Sequence, residues 1–290
     1  MLHKLRLALA LVKFSHTIFA LPFALASGLL AVRSLPPGPR PWLFWFGWII
    51  VAMVGARTAA MAFNRIADLR FDRKNPRARA WPLVSGELSV PFAWGVFSCG
   101  VALLLLAAWQ LNPLALKLAL PALAIVCFYS LTKRFTPFTH FFLGLALGIA
   151  PVGAWVAVTG RIGAPSLWLS LAVLLWVAGF DLMYHCQDVA IDTELGLHSL
   201  PISLGIRGAL GLSALLHSGM MAALVTLGLI LPMGPVYFAG TALLAAVLLW
   251  EHLIVKPDDL SRINVAFFTL NGWIAVVFFF AVAGDLWLRR

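Results

Sequence analysis

The chain has 290 residues, of which 62% are hydrophobic and 11% charged; 21 Lys and Arg against 11 Asp and Glu give a formal net charge of +10. Soluble domains carry about 25% charged residues and need a polar exterior. This composition therefore excludes a soluble globular protein, a disordered chain, a coiled coil and a disulfide scaffold. It describes an all-α polytopic membrane protein, and at about 20 residues per membrane helix the length holds eight to ten spans and no large soluble domain beside them.

Nine spans are predicted in chain order, at 15–33, 42–63, 89–110, 114–131, 139–159, 165–186, 207–231, 235–254 and 264–286. The first run follows a basic N-terminal stretch without a small-residue cleavage site, and reads as a retained span. Pro36, Pro37, Pro39 and Pro41 separate it from the second; Pro113, Pro137, Gly163 with Pro165, Gly234 with Pro235, and Pro257 mark later gaps. Two gaps, 64–88 and 187–206, are longer and polar. With the N-terminus inside, fourteen Lys and Arg fall on the cytoplasmic side and six outside, and Arg57 lies within a span. That bias places both polar gaps in the cytoplasm. It also accounts for the basic excess without nucleic acid. Cys99, Cys127 and Cys186 all lie in apolar stretches and are expected as buried thiols.

The acids are few, and five of them cluster. Asn64, Asp68 and Asp72 follow one another at four-residue intervals, and Asp181 precedes a second pair, Asp188 and Asp192, at the same interval. On a helix this spacing stacks side chains on one face, where two carboxylates repel unless a cation lies between them. Oxygen donors alone point to a hard cation, Mg²⁺ before Ca²⁺, and Mg²⁺ is commonly shared between carboxylates and substrate phosphates. The two pairs are each offset by 120 positions (68 to 188, 72 to 192), a hint of internal repetition that the surrounding sequence supports only faintly. Basic residues accompany them: Arg73, Lys74, Arg77 and Arg79 after the first pair, and Lys133 with Arg134 at the end of the fourth span. Their donors suit phosphate oxygens; loop retention is the other reading for most of them.

Arg57 precedes Asn64 by seven residues and Asp68 by eleven, and so shares their helix face. A cation within a span must be paired or face a cavity. It receives a substrate carboxylate or pairs with an acid such as Asp181. His16, His140, His185 and His198 show no metal-ligand spacing and read as structural; Asn264 and Asn271, seven apart, suit hydrogen bonds between helices. Most of the twelve Trp and 21 Phe are expected to face lipid or to pack.

The run Asn64-xxx-Asp68-xxx-Asp72, with Asp188-xxx-Asp192, resembles the UbiA superfamily of intramembrane aromatic prenyltransferases. Trp81-Pro-Leu-Val-Ser-Gly86, Tyr129-xxx-Lys133-Arg134 and Tyr184-xx-Gln187-Asp188-xxx-Asp192-xxx-Gly196-xx-Ser199-Leu-Pro201 resemble its further motifs, so that the likeness runs from about residue 10 to 275. It implies about nine helices around a central cavity in a single domain over 1–290, with Mg²⁺ held by Asn64, Asp68, Asp72, Asp188 and Asp192. Arg77, Arg79, Lys133 and Arg134 would bind the diphosphate of a polyprenyl donor whose tail leaves through a lateral opening into membrane lipid. The acceptor would be an aromatic ring, near Arg57, Arg65, Tyr129, Asp181 and Tyr184. Two positions depart from the common pattern: Arg65 stands where many members have Asp, and Trp81 where many have Arg. The stretch Lys13-Phe-Ser-His-Thr-Ile-Phe-Ala-Leu-Pro-Phe-Ala, with Arg57, Asn64 and Arg65, resembles the bacterial 4-hydroxybenzoate polyprenyltransferase-like subgroup. That implies the bacterial inner membrane, a site facing the cytoplasm, and quinone synthesis on 4-hydroxybenzoate or 1,4-dihydroxy-6-naphthoate. Haem or a chlorophyll precursor is a further acceptor. A cation-coupled transporter is the alternative of another class; it requires acids near the bilayer midplane, whereas these lie at the predicted membrane edge.

Overall fold

The computed structural model describes Leu7, Leu11 and residues 19–36 and 41–289, with Arg77 described in its backbone alone. His16, most of the Lys13 to Ala24 stretch before residue 19, and Pro37, Pro39 and Arg40 lie outside the described residues.

The described residues are almost wholly helical. The α-helices are α1 (Leu21–Arg33), α2 (Trp42–Asp72), α3 (Val90–Leu111), α4 (Pro113–Thr132), α5 (Thr139–Thr159), α6 (Ala164–His185), α7 (Val189–Glu194), α8 (Leu200–Ile230), α9 (Pro235–Ile254) and α10 (Asn271–Leu288). A π-helix, Val265–Leu270, leads into α10. Among the described residues eight segments are long and apolar enough to cross a membrane, and α1 is a shorter apolar helix of 13 residues.

Helix starts follow local chemistry. Prolines occupy the first turns of α1, α3, α4, α6, α8 and α9, where the missing N–H has no intrahelical partner in any case. Asn112 caps α4 by accepting from Ala115 N at 2.9 Å, and its amide donates to the Val156 carbonyl of α5 at 2.8 Å. Glycines set a close crossing of α2 and α3. A Cβ on Gly55 of α2 would lie 2.6 Å from Leu104 N, and one on Gly100 of α3 would lie 2.6 Å from Ala59 N. Small residues let two backbones touch, which is the main source of packing attraction in lipid.

The apolar core centres on Trp176 of α6, with Phe23, Leu224, Tyr237 and Phe278 packed in the same cluster. Trp176 Nε1 donates to Asn271 Oδ1 at 2.6 Å, and Asn271 Nδ2 donates to Glu251 Oε1 at 2.8 Å. Of the two asparagines expected between helices, Asn271 makes such bonds, while Asn264 is exposed. Outward positions such as Trp109, Leu215 and Phe280 are exposed and apolar, as a lipid-facing surface requires. Cys186 is a buried thiol as expected, but Cys99 is exposed on the outer side of α3.

The two polar gaps are more ordered than the sequence suggests. α2 runs on to Asp72, so the first acid motif belongs to a helix of 31 residues and not to a loop. The second pair has a different local structure: Asp188 ends a 3-10 turn and Asp192 lies on the six-residue α7. Unlike local structure at the two pairs gives the equal offset no structural echo. α8 is broken at Gly205, whose φ 70° and ψ 167° are not helical and would strain an L side chain. Its long apolar segment therefore starts just after the break, close to the expected 207, and residues 200–204 form a short helical turn before it.

Candidate active site

Four helices, α2 to α5, with Ala20, enclose a cavity of about 200 Å³. Alanines dominate its walls, and among the described residues the only polar side chains on it are Arg57 and Tyr129. Arg57 Nε is buried with no hydrogen-bond partner among the described residues, and the Tyr129 phenol is within electrostatic reach of it. Arg57 is not paired to Asp181, which is engaged by His140 and His185.

The first acid motif continues along α2 from Arg57. Asp68 is 3% exposed. Its Oδ2 accepts from Asn64 Nδ2 at 3.1 Å and from Lys133 Nζ at 2.7 Å. Asn64 also donates to Ser130 Oγ at 3.2 Å. Arg134 donates to the Ala67 carbonyl at 2.6 Å and stands 3.7 Å from Asp68 Oδ1. Lys133 Nζ and the Arg134 guanidinium lie 5.9 and 5.5 Å from the centroid of the Phe71 ring. The end of α4 thus brings two cations to the acidic end of α2. The second motif joins through the backbone: His198 N donates to the Lys133 carbonyl at 2.8 Å.

Arg65 and Trp81, the two departures from the common pattern, meet each other. The Arg65 guanidinium lies 3.7 Å from the Trp81 ring centroid and 3.7 Å from Asp72 Oδ2. Trp81 belongs to a tight turn in which Val84 and Ser85 donate to its carbonyl and Leu88 donates to that of Pro82. Leu83 and Leu88 are buried beside Leu11 and Ala93. The segment after the first motif is therefore folded against the end of α2, and Arg65 serves that contact and not the cavity wall.

Other expected site residues lie elsewhere. Arg79 is exposed, and the side chain of Arg77 lies outside the described residues. Asp181 and Tyr184 do not line the cavity; Tyr184 packs on Phe267, ring centroids 4.2 Å apart. Asp192 lies within electrostatic reach of His140 and His185.

A family model for UbiA prenyltransferases matches residues 20–275. The chain belongs to the UbiA prenyltransferase family. A relative from Nitrosospira multiformis named 4-hydroxybenzoate octaprenyltransferase is 30% identical over 90% of this chain and 87% of its own length. The apo structure of a UbiA homologue from Aeropyrum pernix K1 superposes with a TM-score of 0.83 at 34% identity, covering 93% of this chain and 98% of that one. A UbiA homologue from Archaeoglobus fulgidus bound to DMAPP and Mg²⁺ shares the fold, with a TM-score of 0.71 at 20% identity over 96% of this chain and 99% of that one.

As a UbiA-family protein, this chain carries a donor set that fits a hard divalent cation. Asn64, Asp68, Asp72, Asp188 and Asp192 offer oxygen donors, and Asp68 Oδ1 is buried with no hydrogen-bond partner among the described residues. Sequence reading missed Ser130, which orients Asn64, although it adjoins Tyr129 in the basic motif. It also set aside His140, whose approach to Asp181 depends on how α5 packs on α6, and His185, which lies one turn after Asp181 on α6 itself.

Proposed function

We propose that this integral membrane protein transfers a polyprenyl group from polyprenyl diphosphate to a ring carbon of an aromatic acid of the 4-hydroxybenzoate type, in quinone biosynthesis. The observation that carries the reading is Arg57, on the same helix as the aspartates. Its Nε is buried without a hydrogen-bond partner among the described residues, on a cavity wall where the other polar side chain described is Tyr129. It supports an acceptor with a carboxylate. The chain acts as one domain in the bacterial inner membrane, with the motif end toward the cytoplasm and the prenyl tail in contact with lipid.

Asn64, Asp68 and Asp72 on one side and Asp188 and Asp192 on the other are the residues that would hold Mg²⁺. When bound, Mg²⁺ supplies charge neutralisation to the departing diphosphate. Lys133 and Arg134, held by Asp68 and the Ala67 carbonyl, supply preorganised donors to the same group. Arg79, which is exposed, is an outer contact to the diphosphate in this reading, and Arg77 is assigned to the same group. The alanine-rich wall keeps water from the allylic cation and leaves room for the tail. Arg57 takes the acceptor carboxylate, and Tyr129 beside it bounds the ring. Ring attack forms the carbon–carbon bond as the allylic carbon–oxygen bond breaks, and the ring proton then leaves. Asp181 has both carboxylate oxygens turned to imidazoles, so released diphosphate is the better proton acceptor.

The deciding experiment is radiolabelled transfer with purified protein, a polyprenyl diphosphate and Mg²⁺. 4-Hydroxybenzoate and 1,4-dihydroxy-6-naphthoate are supplied in parallel, with EDTA as control. EDTA-sensitive prenylation of one acid is expected. Absence of product from both, across donor lengths and with folded protein, overturns the carboxylate assignment.

A further inference from the structure

Away from that cavity, three side chains converge where α5 meets α6. His140 Nδ1 lies 2.7 Å from Asp181 Oδ2, and His185 Nδ1 lies 3.3 Å from Asp181 Oδ1. One ligand atom from each of the three falls within 4.8 Å of the others. His140 is fully buried and Asp181 is 5% exposed. Among the described residues no Lys or Arg forms an ion pair with Asp181. A carboxylate this deep requires a positive partner.

We propose that His140, Asp181 and His185 bind one borderline divalent transition-metal ion, Zn²⁺ before others, at a centre separate from the oxygen-only set. Two imidazoles and a carboxylate form a donor set that selects Zn²⁺ or its first-row neighbours over Mg²⁺. Ligands about 2.0–2.1 Å from a tetrahedral ion stand about 3.3 Å apart. His185 Nδ1 has that separation from Asp181 Oδ1, and His140 Nδ1 contacts the other oxygen, Oδ2, at 2.7 Å. One donor atom from each residue lies within 4.8 Å of the others, so side-chain rotation brings the three onto one ion. Asp181 and His185 are four residues apart on α6 and so present their donors on one face. The His185 side chain is 30% exposed, which leaves an open side for a water as fourth ligand.

Binding replaces the protons shared between the rings and the carboxylate. It also displaces the contact of His185 Nδ1 with the Asp181 carbonyl, at 3.0 Å. The occupied site ties the first turn of α5 to the last turn of α6, directly before Gln187 and Asp188. Asp181 is then a metal ligand, and its role does not depend on which group the protein transfers.

The test uses the purified full-length protein in detergent, stripped of metal and kept in excess Mg²⁺, with Co²⁺ as probe. The expected result is one Co²⁺ per chain with visible absorption typical of nitrogen ligation, displaced by Zn²⁺. His140→Ala and His185→Gln should each weaken Co²⁺ binding at least tenfold, while Asp68→Asn keeps the absorption. His185→Gln changes a half-exposed side chain, so it remains informative if His140→Ala unfolds; circular dichroism checks both. Wild-type protein without the Co²⁺ absorption, or a folded His185→Gln with unchanged Co²⁺ affinity, overturns the proposal. Transfer activity in Mg²⁺ alone is read separately, so failure of this site and failure of the transferase reading are distinct results.

Discussion

The guanidinium of Arg65 stacks 3.7 Å from the centre of the Trp81 ring while reaching toward Asp72. One side chain thereby joins the first acid motif to the folded segment that follows it. A cation–π contact contributes about 0.5–2 kcal/mol. Trp81→Ala should loosen residues 73–88, read as faster amide exchange there with the rest of the bundle unchanged. Trp81→Phe should keep most of the protection. Equal exchange in wild type and Trp81→Ala would remove the stack from any role in ordering the segment.

Lys133 bonds the deepest carboxylate of the site. Removing a preorganised donor to a developing charge commonly lowers kcat about 10²- to 10³-fold. Lys133→Ala is expected to fall in that range, and Asp68→Ala to abolish transfer, with both proteins inserted and folded. An active Asp68→Ala protein would contradict the metal assignment.

The proposed contact of Arg57 with the acceptor carboxylate predicts different effects on the two substrates. A charged hydrogen bond contributes about 1.5–3 kcal/mol, so Arg57→Leu should raise KM for the aromatic acid about ten- to hundredfold. KM for the prenyl donor should hardly change. A change in the donor's KM alone would place the diphosphate, and not the acid, on this residue.

Ala119 lines the cavity at 5% exposure. Ala119→Phe fills space that a long tail requires. Transfer from long donors should fall while transfer from a five-carbon donor persists, as measured by product mass. A uniform loss across donor lengths would indicate general damage to the fold.

Gly100 leaves no room for a side chain against the Ala59 backbone. Overpacking costs about 1–3 kcal/mol where neighbours cannot yield. Gly100→Val should lower the melting temperature in detergent, and an unchanged melt would show that the crossing relaxes.

Much of this molecule was legible in its sequence. The spans followed from apolar runs punctuated by proline, and the acid and basic motifs led to the family. The depth of Arg57 was visible too, since a charge inside an apolar run is conspicuous. What escaped depends on relations between helices. His140 carries no spacing signature, because Asp181 reaches it across a helix interface, and the four-residue spacing of Asp181 and His185 on its own reads as an ordinary helix-face pair. Arg65 and Trp81 stood out singly, but their contact needs the turn that folds residues 81–88 back. Residues 64–72 fall in a gap between spans by their polarity, although their four-residue spacing is that of the helix they continue.

The contact of Gly55 with Gly100 has a mechanical consequence. Two helices whose backbones touch cannot rotate or spread along that seam, so α2 and α3 form a single stiff board. The board carries Asn64, Asp68 and Asp72 at one end and Arg57 within it. On the proposed reading, tails of different length are then accommodated by yielding of the opposite wall, α4 and α5, while the distance from leaving group to acceptor along α2 stays constant.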